Sequence, residues 1–167
     1  MEIGLSLGSC LGDRLAFLRG ARDAIEAIDG VRIVASAPVY ETEPVGVRPE
    51  FAGLPYLNTV LILEAGPDVE ALRHRLAAIE EKAGRTRGAD KFAPRTLDID
   101  VLYAGDTTLD TPTLVLPHPR WAQRRFDVQP LADVRPGLIL PGRSESVAER
   151  LQTIPLTPSV RLFAQDW

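Results

Sequence analysis

The run Pro94-Arg95-Thr96-Leu97-Asp98-Ile99-Asp100 places an arginine and then two carboxylates at strand spacing. A strand sends alternate side chains to opposite faces, so Asp98 and Asp100 share one face while Leu97, Ile99 and Val101 enter a core. Two residues of strand rise set the carboxylates roughly 7 Å apart. Two like charges that close repel unless a cation lies between them or water screens them. Hard divalent ions such as Mg2+ take oxygen ligands of this kind. Arg85 and Arg87 precede the pair, and Arg124 and Arg125 follow the turn Pro117-His118-Pro119. Guanidinium forks beside metal-binding carboxylates suit a polyphosphate, and the chemistry they imply is phosphoryl transfer. The chain has no Gly-x-x-x-x-Gly-Lys-Ser/Thr, which removes the P-loop class of nucleotide enzymes. Gly8-Ser9-Cys10 before a helix reads as a tight turn rather than an anion site.

These residues need a scaffold. Residues 3–7 read as a buried strand, 8–12 as a turn, and Asp13 as the cap of a helix with Leu15, Leu18, Ala21, Ile25 and Ile28 at helical spacing, closed by Gly30. Residues 31–35 and 39–41 read as a strand interrupted near Pro38, and 57–64 as the next. Gly66-Pro67-Asp68 opens a second helix with proline in its first turn. Its stripe is Val69, Leu72, Leu76, Ile79 and Ala83, and Gly84 stops it. Residues 96–103 form the strand of the aspartates. The order β-α-β-β-α-β predicts an α+β fold: a ferredoxin-like antiparallel sheet with both helices on one face and a C-terminal extension. The other face is then left for loops and the Asp pair. In the extension, 114–116 and 138–140 are strand candidates, 119–125 a helical turn, and Ser146 with Glu149 a capping box before a short helix. The end around Pro155 and Pro158 is expected to wrap the body. The loops 43–55 and 85–94 are long for a compact domain. They are expected to be mobile without ligand and to order over bound substrates, excluding water.

The bulk numbers agree with a soluble enzyme of one domain, residues 1–167. Apolar residues make up 45% and charged residues 25%, enough to bury a core. A net charge of −4 argues against a general nucleic-acid surface. Cys10 is the sole cysteine, so no internal disulfide forms. No signal peptide or membrane span is visible, which makes the cytoplasm the expected location.

With these residues in place, the chain resembles 6-hydroxymethyl-7,8-dihydropterin pyrophosphokinase of folate biosynthesis. The resemblance rests on Leu7-Gly8-Ser9, Tyr40-x-Thr42-x-Pro44-x-Gly46, Tyr56-Leu57-Asn58, Gly84-Arg85-x-Arg87, the Pro94–Asp100 run, Pro117-His118, and Arg124-x-Phe126 followed by Pro130-Leu131. It implies transfer of pyrophosphate from ATP to the pterin hydroxymethyl group with release of AMP. It also implies two Mg2+ ions held by Asp98 and Asp100, and a monomer that acts on small molecules and neither nucleic acid nor membrane. By resemblance, Arg85 and Arg95 grip the phosphates during transfer. Glu80, Arg87, Val101, Leu114, His118 and Arg124 complete the ATP contacts. Tyr56 and Phe126 sandwich the pterin, and Thr42, Pro44, Val45, Asn58, Phe92 and Asp98 surround it. A flat heteroaromatic ring suits such a sandwich, and an asparagine amide offers it both donor and acceptor. Cys10 departs from the family's usual Asn, Phe92 from Trp, Ala93 from Gly, Gly88 from a basic residue and Pro119 from an aromatic. None of these touches the Asp pair. Two other readings remain open: a related transferase acting on another pterin, and a non-catalytic ferredoxin-like binding module, for instance for RNA.

Overall fold

The computed structural model describes residues 1–44, 49–84 and 95–167. The centres of both loops expected to act as lids, 45–48 and 85–94, lie outside the described residues.

The predicted order appears as strand β1 (Glu2–Ser9), helix α1 (Arg14–Glu26), β2 (Arg32–Ser36), β3 (Val39–Thr42), β4 (Tyr56–Glu64), α2 (Val69–Lys82) and β5 (Asp98–Ala104). Gly8 and Ser9 belong to β1, so the turn starts later than expected. Asp13 caps α1 by accepting the Ala16 N–H at 3.0 Å, and Asp68 caps α2 by accepting that of Ala71 at 2.9 Å. Pro67 therefore precedes the cap of α2 instead of lying in its first turn.

β1 lies between β4 and β5 and pairs antiparallel with both; β3 extends the sheet beyond β4, and β2 also pairs with β4. One sheet face carries Ile3, Leu5 and Leu7 from β1, Leu57, Leu61 and Leu63 from β4, and Ile99 and Val101 from β5. All are buried with Leu18, Ala21 and Ile25 of α1 and Val69, Leu72 and Leu76 of α2. This is the expected ferredoxin-like α+β core.

The second face departs from expectation. Much of it is covered by α3 (Arg125–Val134) and α4 (Val147–Thr153), which close a second core over Val60, Ile62, Leu102 and Tyr103 with Val128, Leu131, Leu140 and Val147. The strand positions on this face turn apolar along the sheet, and apolar strand positions require cover. A register shift between Gly4 and Leu5 brings both Leu102 and Tyr103 into this core. The Tyr103 ring lies against Gly4, where a Cβ would stand 2.2 Å from Cε1.

The helical turn predicted at 119–125 is a short 3-10 turn (Trp121–Gln123) followed by the full helix α3. Pro130 hid this helix in the sequence, because a proline inside a helix removes one hydrogen bond. Burial of Val128, Leu131 and Ala132 on either side of it offsets that loss. Two short strands, β6 (Leu109–Asp110) and β7 (Val115–Leu116), pair with each other. Residues 138–140 form no strand. Leu138 instead accepts the Val147 N–H at 2.9 Å while Leu140 fills the second core. The capping box of Ser146 and Glu149 is present at the start of α4. The tail does wrap the body: β8 (Val160–Ala164) pairs with β3, and the Trp167 indole donates to the Ala37 carbonyl at 2.8 Å. Among the described residues no helix is long and apolar enough to cross a membrane.

Candidate active site

Strand register assembles the site. Gly8 of β1 stands opposite Asn58 of β4 on one side and Asp98 of β5 on the other. Ser6 is likewise flanked by Val60 and Asp100, and Tyr40 and Thr42 of β3 face Asn58 and Tyr56. Residues opposite one another across a sheet project to the same face. Tyr56, Asn58 and both aspartates therefore share the face that the second core leaves uncovered at this end. A Cβ on Gly8 would lie 2.9 Å from Asn58 Oδ1, so glycine keeps the floor low between Asn58 and Asp98.

The carboxylates are partly exposed, 30% for Asp98 and 39% for Asp100, and each faces a guanidinium. Arg95 Nη1 donates to Asp98 Oδ2 at 2.9 Å, and Arg124 Nη1 lies 3.5 Å from Asp100 Oδ2. The Arg95 carbonyl accepts the N–H groups of Cys10 and Leu11, which ties this segment to the turn after β1. His118 Nε2 lies 3.8 Å from Asp100 Oδ2. Burial holds the His118 pKa below its ordinary value, against the pull of Asp100. Its Nδ1 accepts the Arg120 N–H at 3.2 Å, which assigns the neutral ring's proton to Nε2.

Glu80 is 5% exposed and its Oε1 accepts the Ile99 N–H at 2.7 Å. It is therefore not an exposed helical acid. It grips the edge strand at the peptide between the two aspartates. Tyr56 is half-buried, and burial, then the neighbouring Cys10, pushes its hydroxyl up to about 12. It stays a hydrogen-bond donor at neutral pH. Asn58 Nδ2 donates to Thr42 Oγ1 at 2.6 Å, which fixes the amide. Phe126 is half-buried, with the Arg124 guanidinium 5.5 Å from its ring centre. Tyr56 and Phe126 are thus neither core residues nor freely exposed. Pro44 lies just past β3, partly buried. The side chains of Val101 and Leu114 are buried in the helix-side core, away from the carboxylates. Arg85, Arg87, Val45 and Phe92 lie outside the described residues.

Three residues of this neighbourhood escaped the sequence reading. Gly8 was assigned to a turn, although its strand register makes it the floor. Ser6 carried only the alternation of β1 as a signal. Asp127 is fully buried, accepts the Ser6 hydroxyl at 2.6 Å through Oδ1, and has Oδ2 3.6 Å from Arg124. Burial pushes its carboxyl up to about 7, with Ser6 and Arg124 pulling the other way. Its placement three residues after Arg124 was the available clue.

Two same-face carboxylates, each facing a cationic side chain, are oxygen donors of the kind that hard divalent cations take. Tyr56 and Asn58 of β4 lie on the same face, and Phe126 follows Arg124 at the start of α3. Residues 4–136 match the family described as 7,8-dihydro-6-hydroxymethylpterin-pyrophosphokinase (HPPK). The 2-amino-4-hydroxy-6-hydroxymethyldihydropteridine pyrophosphokinase of Pseudomonas aeruginosa is 37% identical over 142 residues, which cover 84% of this chain and 84% of the relative. The folic acid synthesis protein fol1 of Pneumocystis carinii is 32% identical over 90% of this chain, which spans only 20% of that longer protein. Among solved structures, wild-type HPPK-DHPS of Plasmodium falciparum with pteroate superposes with a TM-score of 0.67 at 12% identity, over 90% of this chain and 42% of that one. That likeness speaks for the fold, while the sequence matches speak for the family. The chain belongs to the 7,8-dihydro-6-hydroxymethylpterin-pyrophosphokinase family.

Proposed function

We propose that the Asp98–Asp100 face carries out the family's reaction, transfer of pyrophosphate from ATP to 6-hydroxymethyl-7,8-dihydropterin. The pterin hydroxyl oxygen forms a bond to the β-phosphorus. The bond from that phosphorus to the α,β-bridging oxygen breaks, AMP leaves with that oxygen, and the hydroxyl proton is released. The observation that carries this reading is the pair of partly exposed carboxylates, each beside a guanidinium, with Asp98 set across Gly8 from Asn58.

The donor set suits divalent cations. Two hard carboxylate oxygens, combined with phosphate oxygens from the substrate, match the way Mg2+ binds in phosphoryl-transfer sites. Asp98 and Asp100 would hold two Mg2+ ions, and these would neutralise the phosphate charge. The side chains supply the rest. Arg95, together with Arg85 and Arg87, grips the phosphates. Arg124 and His118 border Asp100 and meet the nucleotide there. Glu80 keeps β5 in place, and Val101 and Leu114 support the nucleoside end from below. Tyr56 and Phe126 sandwich the pterin, Asn58 and Thr42 read its polar edge, and Pro44, Val45 and Phe92 close around it. Asp98, across Gly8 from Asn58, is placed to orient the attacking hydroxyl. In-line transfer depends mostly on such positioning and on electrostatics. Residues 1–167 act as one domain, a cytoplasmic monomer.

Incubation with MgATP and the dihydropterin, followed by identification of the nucleotide product, tests this reading. AMP is expected, and ADP would overturn it.

A further inference from the structure

Asp127 is a fully buried carboxylate that the reaction leaves without a role. It sits on the first turn of α3, where the apolar second core meets the site. Ser6, its hydrogen-bond donor, stands directly opposite Asp100 in the β1–β5 register. Arg124 Nη1 lies between two carboxylates, 3.5 Å from Asp100 Oδ2 and 3.6 Å from Asp127 Oδ2. Among the described residues, Asp127 Oδ2 has no hydrogen-bond partner within range. One hydrogen bond and one loose ion pair do not repay the desolvation of a fully buried carboxylate. Stability therefore does not account for an acid at this position.

Geometry supplies an account. A cation on Asp100 repels the guanidinium that now shares that carboxylate. Among the described residues, Asp127 is the other carboxylate already within ion-pair distance of Arg124. We propose that Asp127 is a positioning residue for Arg124, a buried counterion that keeps the guanidinium beside the phosphates once Asp100 is occupied by a cation. The Phe126 ring lies 5.5 Å from the Arg124 guanidinium carbon, so the guanidinium has an aromatic face beside it as well as the two carboxylates. The proposal rests on the reading of Asp100 as a Mg2+ ligand.

Titration calorimetry with Mg2+ and the α,β-methylene analogue of ATP tests it on four proteins: wild type, Asp127→Asn, Arg124→Ala and the double variant. Loss of a buried negative charge favours phosphate binding whether or not Arg124 is present. Loss of positioning matters only when Arg124 is there. Asp127→Asn should therefore weaken binding more in the wild-type background than in the Arg124→Ala background, by about threefold or more. A smaller difference overturns the proposal, since a merely structural role acts equally in both backgrounds. If Asp127→Asn does not fold, Ser6→Ala, which removes only the hydroxyl that orients Asp127, is judged by the same criterion. Asp100→Asn separates the two claims. If it binds the Mg2+–analogue pair like wild type, the metal reading falls and the proposal with it. If it loses binding while the Asp127 difference is absent, only the proposal falls.

Discussion

The two faces of the central sheet are built from the same strands, and alternate residues of those strands have opposite duties. On the helix side β1 offers Ile3, Leu5 and Leu7, and β4 offers Leu57, Leu61 and Leu63, an apolar surface sealed by α1 and α2. On the other side β1 offers Gly4, Ser6 and Gly8, and β4 offers Tyr56, Asn58, Val60 and Ile62. Along this second face the character changes within a few residues. Val60, Ile62 and Leu102 lie in a core under α3 and α4. Ser6 and Asp100 form the border, and Gly8, Asn58 and Asp98 lie beyond it, outside that core. The comparison teaches that the first face fixes the backbone so that the second can hold charges at defined spacing. The second core then anchors α3, which delivers Arg124, Phe126 and Asp127 to the border.

Substitutions on the two faces should fail in opposite ways. The largest expected effect is on activity. Asp98→Asn or Asp100→Asn should lower kcat by about a thousandfold or more, because the electrostatic support for the transferring group goes with the carboxylate. Both groups are partly exposed, so thermal unfolding should move by only a few degrees. Either variant turning over within about tenfold of wild type would remove the pair from the chemistry. Leu5→Ala on the opposite face should do the reverse. Leu5 is fully buried, and truncation should cost about 2–5 kcal/mol in urea unfolding. The protein that remains folded should keep its KM values. A Leu5 variant of full stability would contradict the division of labour between the faces.

Much of this division was legible in the sequence because both periods were strong. The alternation of Leu97, Ile99 and Val101 with the aspartates placed the pair on one face, and the stripes of α1 and α2 identified the helix side. The second core was missed for physical reasons. Pro130 broke the helical pattern of α3, and the apolar residues of 138–140 imitate a strand although they pack as an irregular segment. β8 was hidden among prolines, because its pairing with β3 depends on a contact distant in sequence. Among site residues, Tyr56, Asn58 and Phe126 were found through family motifs and not through any local period. Glu80 was half-legible: the resemblance names it as an ATP contact, but its bond to the Ile99 N–H needs the fold. For Asp127 the sequence offers only its place three residues after Arg124, since an acid on a helix is ordinarily solvated and only the packing of α3 on the sheet buries it.

Asp127 also gives the smallest predicted effect and the finest test of the border between the faces. Burial pushes its carboxyl up to about 7 in the folded protein, from an ordinary value of 3.8. An unfolded chain therefore loses this proton first as pH rises, and the folded state holds more protons between those values. Stability falls through that window and stays lowered above it. At roughly 1.4 kcal/mol per pH unit, the full cost at pH 8 is on the order of 4 kcal/mol. Asp127→Asn removes the buried charge but turns an amide donor towards Arg124, which returns part of the gain. The variant should be more stable than wild type by about 1–3 kcal/mol at pH 8, with the advantage vanishing near pH 4. Urea unfolding at the two pH values measures this. A wild type that is the more stable protein at pH 8 would show that Asp127 is held charged at little cost, and that it belongs to the stabilising core rather than to the site.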